Sequence, residues 1–426
     1  MDCIGTRNLR QVLEYKAKQF GSRECLVFED ADGYVVSYTY RAFDDMVNRY
    51  ANVLLRNGIK KGDKVTIHLA NSPEYLFSFF ALAKIGAIII PTNILSGAPE
   101  MEYFLDFTDC VGIVTEPRYM DLIGGIRGTC KKLQKIFLVR TSPWYPNTRL
   151  YPDTTIIADE LKDSPAILPE VSIDVEDDLM MLFNHDPSRP KAVQMTHANA
   201  VFAGIFGAQA WKIVTQDRHL LTLPLFHINA LFISVMPALT AGAAIILAEQ
   251  FNASRYMEQV RSHRATTASL VGAMVRMILK ELPAKPDADN NLRFIIYAIA
   301  VTDEEWDTFE SRFQVRLCDL WGMTETLGAT TINPLDGILK KNCIGLPRLS
   351  NAVKVVDENS VEVPAGTTGE LVVQGVPGRT IMKGYYKNTD ATRETVRDGW
   401  LHTGDYAYMD ADGYFHFAGR KKETAV

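Results

Sequence analysis

Val315-Arg316-Leu317-Cys318-Asp319-Leu320, running into Trp321-Gly322-Met323-Thr324-Glu325, is the stretch on which the fold turns. The first six residues read as a strand. The five that follow read as a turn built for a ligand: the glycine lets backbone come close, the threonine hydroxyl can bind a phosphate oxygen, and the glutamate can hold Mg²⁺. By itself the pentapeptide is equally compatible with an ordinary turn. Its neighbours narrow the choice. Upstream, KVTIHLA (64–70), AIIIP (87–91), GIVTE (112–116), KIFLVR (135–140), HLLTLP (219–224), AAIILA (243–248), TTASLV (266–271) and FIIYAI (294–299) are apolar runs of strand length. Amphipathic segments such as YTYRAFDDMVNRYANVLLRNG and SRYMEQVRSHRA lie between several of them. Near-continuous apolar strands alternating with helices predict an α/β layered fold with parallel-rich sheet. Beyond about residue 340 the texture changes to short alternating segments (NAVKVVD, GELVVQG, GYFHFAG), which predict a smaller antiparallel β subdomain.

Downstream of the pentapeptide, Trp400-Leu401-His402-Thr403-Gly404-Asp405 places an Asp after a tight turn, suited to a ribose diol. Gly419-Arg420-Lys421-Lys422-Glu423 then offers an Arg at the end of the β region. Each motif alone reads more readily as structural; their order and spacing argue for a shared site.

Composition sets the outer limits. The chain has 426 residues, 47% hydrophobic and 23% charged, which excludes a disordered or fibrous protein. Lys plus Arg is 45 against 51 for Asp plus Glu, a balance that predicts neither a nucleic-acid footprint nor attraction to anionic membranes. Cys3, Cys25, Cys110, Cys130, Cys318 and Cys343 form no CxxC pair, so they read as buried free thiols of a cytoplasmic chain. Leu231 to Ala248 is mostly apolar, but Pro237, Thr240 and Gly242 interrupt it, which predicts a helix and a short strand rather than a membrane span.

With these motifs in place the chain resembles the adenylate-forming superfamily of acyl-CoA synthetases, peptide-synthetase adenylation domains and luciferases. WGMTE matches that family's YGxTE, WLHTGD its WxxTGD, GRKKE its GRxKD hinge, and Pro224-Leu225-Phe226-His227 its acyl-pocket PxFH. The resemblance covers essentially the whole chain, and the opening is most similar to carnitine/crotonobetaine–CoA ligases. It implies the N-terminal domain of an adenylate-forming enzyme: two layered α/β subdomains over 1–340, a β-barrel-like subdomain over 341–420, and the start of a hinge at 421–426 with Glu423, where the chain stops short of the family's C-terminal domain and reads as truncated. It implies two half-reactions, in which ATP converts a carboxylate to an acyl-adenylate and CoA then displaces AMP. It also implies roles: Tyr297, Ala298, Asp319, Leu320, Trp321, Gly322, Met323 and Thr324 around adenine and α-phosphate, Asp405 and Arg420 on ribose, Phe226, His227 and Gly272 on the acyl side, with His227 and Thr324 as catalytic groups. Mg²⁺, on Glu325, is a doubtful member of that set.

One segment departs from the family. In place of the phosphate loop (Y/F)TSGTTGxPKG the chain has Phe183-Asn184-His185-Asp186-Pro187-Ser188-Arg189-Pro190-Lys191-Ala192, without a glycine. Pro187 removes a backbone donor, and Asp186 puts a negative charge where a triphosphate would sit. Two unit charges about 5 Å apart at an effective dielectric near 20 repel by roughly 3 kcal/mol. Lys191 is kept, but one Lys does not replace a nest of amides. Asn184, His185, Asp186, Pro187, Ser188 and Lys191 therefore form a degenerate phosphate loop. The expectation is a non-adenylating acyl-CoA ligase that takes acyl-adenylate from a separate adenylating enzyme and passes the acyl group to CoA. In this it is similar to the ligases of platensimycin/platencin-type diterpenoid biosynthesis, which implies a bulky acid. An ATP-dependent acid–CoA ligase with a compensated loop and a non-catalytic adenylate-binding relative are the alternatives. No nucleic-acid or membrane partner is expected; an oligomer is compatible with the sequence.

Overall fold

The computed structural model describes residues 4–139, 154–184, 190–282, 286–348 and 350–420. Within it the chain forms two compact units. The first comprises residues 1–201 with 224–227 and 247–250, and the second holds the rest.

The first unit is built on the strands Ile88–Pro91, Lys64–His68, Gly112–Thr115, Lys135–Leu138 and Thr154–Ile156, which pair in parallel. Asp178–Phe183 adds in parallel beside Ile88–Pro91 and then turns back as the antiparallel Ala192–Thr196. The helix Pro73–Lys84 packs on this sheet, and the helix Tyr40–Arg56 packs on that helix in turn. Tyr40–Arg56 starts where the Thr39 hydroxyl accepts the Ala42 N–H at 3.2 Å, and it buries Tyr40, Phe43, Val47, Tyr50 and Leu54 at helical spacing. Pro73–Lys84 carries its proline at the first turn, where no N–H is needed, behind a Ser72 cap.

In the second unit the parallel strands Arg218–Leu221, Thr267–Val271, Phe294–Ala298 and Arg316–Met323 lie side by side, and Gly328–Ile332 and Leu346–Pro347 extend them antiparallel. A small antiparallel sheet follows: Val353–Val356, Gly369–Gln374 and Trp400–Met409, with Val396–Arg397 and Phe415–Arg420 both on the last of these. Its inner face packs Val355, Leu371, Val373, Ala407 and Phe415 around Trp321.

All eight expected strands form, with ends trimmed by one to three residues. The apolar stretch after His227 becomes a π-helical turn Asn229–Val235, a helix Met236–Ala241 and a strand Ala244–Ala248. Among the described residues no helix is long and apolar enough to cross a membrane. The five described cysteines are free and buried. Two expected turns are not turns. The strand from Arg316 continues through Trp321 and Gly322 to Met323, because Gly328–Ile332 supplies it with a ladder partner. Asp405 likewise sits inside the long strand Trp400–Met409, at an irregularity where Gly404 takes φ +72°.

Three of the buried histidines lie almost fully out of solvent: His68 against the Thr92 hydroxyl at 2.9 Å, His197, whose Nδ1 accepts the Leu9 N–H at 3.3 Å, and His219 against the Thr267 hydroxyl at 2.9 Å. Burial lowers each from 6.5 to about 4. Between those values the unfolded chain binds three protons that the folded chain refuses. Burial acts oppositely on two carboxyls, raising Glu74 to about 7 and Asp319 to about 8, so the folded chain keeps two protons that the unfolded chain releases. The net excess of about one proton on the unfolded side makes stability fall as pH drops from about 6.5 toward 4.5, by roughly 1.4 kcal/mol per pH unit from these groups. Glu74→Gln removes one opposing group and is expected to steepen that fall about twofold. Urea melts at several pH values check this, and a shallower slope in the variant would contradict it.

Candidate functional site

In the second unit the three motifs converge on one carboxylate. Asp405 is 6% exposed. Its Oδ2 accepts the Trp321 Nε1–H at 2.9 Å, and its Oδ1 faces the Arg420 Nε at 3.3 Å. Residues 84 apart in the chain are thus joined by a single hydrogen bond. Asp405 and Arg420 are also register partners across the Trp400–Met409 and Phe415–Arg420 strands. The backbone around the carboxylate is fixed. The Thr403 hydroxyl donates to Leu371 O at 2.7 Å and accepts the Asp405 N–H at 3.1 Å, while Glu370 accepts the Gly404 N–H at 3.0 Å and lies 3.2 Å from His402 Nδ1.

Trp321 is 8% exposed, with its indole committed to the core of the small sheet. Gly322, next to it, is a glycine by necessity: a Cβ there would overlap the Gly328 carbonyl on the paired strand. The Met323 N–H is held by the Thr326 hydroxyl at 3.1 Å, and Thr324 opens a short 3₁₀ turn, half-buried. Glu325 is 2% exposed; its Oε1 accepts the Tyr385 hydroxyl at 2.8 Å and its carbonyl accepts the Met382 N–H at 2.9 Å.

Tyr297 and Asp319 face each other in register on neighbouring strands, hydrogen-bonded through their side chains. Tyr297 is 1% exposed with its ring edge-on to Trp306 at 5.7 Å, so Ala298, half-buried, is the more open position of the two. Burial pushes the Asp319 carboxyl up to about 8, leaving it mostly protonated and able to donate at neutral pH. Leu320, next along the strand, is buried. After Ala298 the chain does something unusual for a β-branched residue: Ile299 adopts φ +69° with its side chain 69% exposed. A Cβ on Gly272 would overlap the Ile299 carbonyl, which is why the helix Gly272–Lys280 begins with glycine.

In the first unit Phe226 and His227 line a cavity of about 550 Å³ with Asn93, Tyr103, Asn184 and Pro190 among its other walls. Asn71 and Tyr75 pin the preceding Leu225, through Leu225 N–H to Asn71 Oδ1 at 2.8 Å and the Tyr75 hydroxyl to Leu225 O at 3.1 Å. The Phe226 and His227 rings lie 4.3 Å apart. At the base of the degenerate loop the backbones of Asn184 and Lys191 pair, and Asn184 Oδ1 accepts the Lys191 N–H at 2.9 Å. His185, Asp186, Pro187 and Ser188 lie outside the described residues, as does Glu423 at the expected hinge.

Sequence reading missed Tyr385 and Glu370 as parts of this arrangement, and it missed the left-handed backbone of Ile299; nothing local marks any of the three.

Comparison with known proteins shows the family. Residues 13–386 match the family described as AMP-binding enzyme, and the chain belongs to it. It is 34% identical over 428 residues to crotonobetaine/carnitine–CoA ligase of Salmonella paratyphi A, covering 99% of this chain and 81% of that protein. Among solved structures it is similar to a protein of Rhodopseudomonas palustris described as a long-chain-fatty-acid–CoA ligase (TM-score 0.86, 28% identity, 98% of this chain and all of that one). An anthranilate–CoA ligase in complex with anthranoyl-AMP shares the fold (TM-score 0.88, 23% identity, 97% and 78% covered).

Proposed function

We propose that the chain is an acid–CoA ligase working through an acyl-adenylate. The observation that carries this reading is the buried Asp405 carboxylate, held between Trp321 and Arg420 in a family whose ligands are adenylates. Asp405 takes the ribose hydroxyls, with Arg420 beside it. Adenine lies against the Trp321–Met323 backbone and Ala298, where Gly322 keeps the chain flat, and the Asp319 carboxyl serves as a nearby donor. Thr324 binds the α-phosphate. His227, Phe226 and Gly272 are assigned to the acyl side.

The favoured sequence is complete. The acid's carboxylate attacks the α-phosphorus of ATP, pyrophosphate leaves, and the CoA thiolate then attacks the acyl carbon and expels AMP. The chain's part is positioning and stabilising charge on phosphate and carbonyl. Glu325 is the carboxylate that would hold Mg²⁺, though the Tyr385 hydroxyl already engages its Oε1; bound there the cation would neutralise phosphate charge.

One observation favours a second reading, thioesterification alone from adenylate made by another enzyme: the segment Phe183–Ala192 contains no glycine and places Asp186 and Pro187 where phosphate-binding amides are needed. Pyrophosphate exchange into ATP with a panel of acids separates the two. Exchange is expected on the favoured reading. Its absence, with thioester formed from synthetic acyl-adenylate and CoA, establishes the second. Failure to bind either AMP or acyl-adenylate rejects both.

A further inference from the structure

Arg348 carries a charge inside the second unit that no described carboxylate balances. The residue is 8% exposed. Its backbone N–H donates to Thr330 O at 2.9 Å and its Nη1 to Ala329 O at 2.6 Å, while the guanidinium lies 5.8 Å from the centre of the Phe202 ring. Nε and Nη2 are buried without a hydrogen-bond partner among the described residues, and the hydroxyls of Thr330 and Thr331 on the adjoining strand are orphaned in the same way. Burial lowers the guanidinium to about 10, which leaves it charged at neutral pH. An uncompensated buried charge is costly, and so are the unpaired donors around it.

The orphaned atoms have a shape. Nε and Nη2 form one edge of the guanidinium, the edge that grips a carboxylate through two parallel hydrogen bonds. Its place is close to the motif. Ala329, whose carbonyl anchors Nη1, is the register partner of Gly322, and Thr331 is that of Trp321. The same strand packs on the π-helical turn Asn229–Val235, where a Cβ on Gly328 would press on Ile233; such turns recur at functional sites.

We propose that Arg348 binds a second carboxylate on the acid this chain activates, so that its substrate is a dicarboxylic acid. The inference rests on the acid–CoA ligase reading and names its substrate class. One carboxylate reacts at the α-phosphate, and the other, at the far end of the acyl group, is received by the Nε–Nη2 edge with the Thr330 hydroxyl nearby. A guanidinium there repels the quaternary ammonium of carnitine or crotonobetaine, so this chain and those relatives differ in the acid they take.

The test uses non-hydrolysable acyl-adenylate analogues, which bind whichever half-reactions the chain performs. Calorimetry compares succinyl, glutaryl and adipyl sulfamoyl-adenosines, each with its monoacid of equal length, and AMP as control. At least one diacid analogue is expected to bind about tenfold or more tightly than its monoacid partner. Arg348→Met is expected to erase that preference, keep AMP affinity and melt no lower than wild type, because it removes a buried charge without leaving a cavity. Arg348→Lys, which keeps the charge without the fork, is expected to retain only part of the preference. Equal affinities for every pair in the wild-type chain, with AMP still bound, overturn the inference alone; this comparison stands even if a variant fails to fold. Loss of AMP and of all analogues in wild type strikes the ligase reading instead.

Discussion

Asp405→Ala is expected to weaken AMP binding about a hundredfold and to lower the melting temperature. Two separate losses produce this. The first is the ligand contact, since a carboxylate–diol pair is charge-assisted and contributes roughly 1.5–3 kcal/mol, or about ten- to 150-fold in affinity. The second is internal. Removing the carboxylate strips the Trp321 Nε1–H of its acceptor in a residue that is 8% exposed, and an unsatisfied buried donor costs about 1–3 kcal/mol. The Arg420 side chain is 60% exposed, so losing that pair costs little. Asp405→Asn separates the two, because its amide oxygen can still accept from Trp321 while the charge on the ribose is gone. Near-wild-type melting with most of the affinity lost is expected for Asn, and both losses for Ala. AMP affinity within threefold of wild type in the Ala variant would reject Asp405 as the ribose ligand.

The sequence disclosed the strands of this fold because buried parallel strands are continuous apolar runs, and Ile88–Pro91 or Phe294–Ala298 can hardly be read otherwise. It did not disclose pairing. Trp321 and Gly322 look like a turn when only local sequence is read, yet a partner strand beginning at Gly328 draws them into a ladder. The hairpin of Glu24–Glu29 with Val35–Thr39 also went unread, since its second strand has no buried residue to mark it. The unit boundary near residue 201 is hidden for a related reason: Pro224–His227 and Leu247–Gln250 return to the first unit, and no linker composition announces either crossing. For the site, motif order was legible and geometry was not. Asp405 was readable as a carboxylate in a motif, but its bond to Trp321 spans 84 residues, and only folding brings the two together. Arg348 carried no signal at all. A lone arginine after Pro347 reads as a surface residue, and its meaning comes from burial without a counter-charge among the described residues.

Gly322→Ala is expected to cost more than any other single-methyl change at the site. The added Cβ would overlap the carbonyl oxygen and carbon of Gly328 and come within 3.1 Å of the Ala329 Cα. All three are backbone atoms of the paired strand, so no side chain can swing aside. Relief requires the Arg316–Met323 and Gly328–Ile332 strands to part where they already carry a register irregularity, between Trp321 and Gly322. Overpacking of this kind typically costs about 1–3 kcal/mol, and a pure backbone clash belongs at or above the top of that range. The functional loss is expected to exceed the loss of stability, because the displaced segment holds both neighbours that matter: Trp321, which orients Asp405, and Met323, whose N–H fixes the turn carrying Thr324. A control is available within the same chain. Gly124, inside the helix Met120–Ile126, has open space around its added Cβ, so Gly124→Ala is expected to stabilise by about 0.5–1 kcal/mol through helix propensity. Thermal melts and AMP titrations on both variants decide the matter. Opposite signs in the melts, with AMP binding lost only at Gly322, are the expected result; a Gly322→Ala chain that melts and binds AMP like wild type would show that the strand pair yields freely and that the glycine is dispensable.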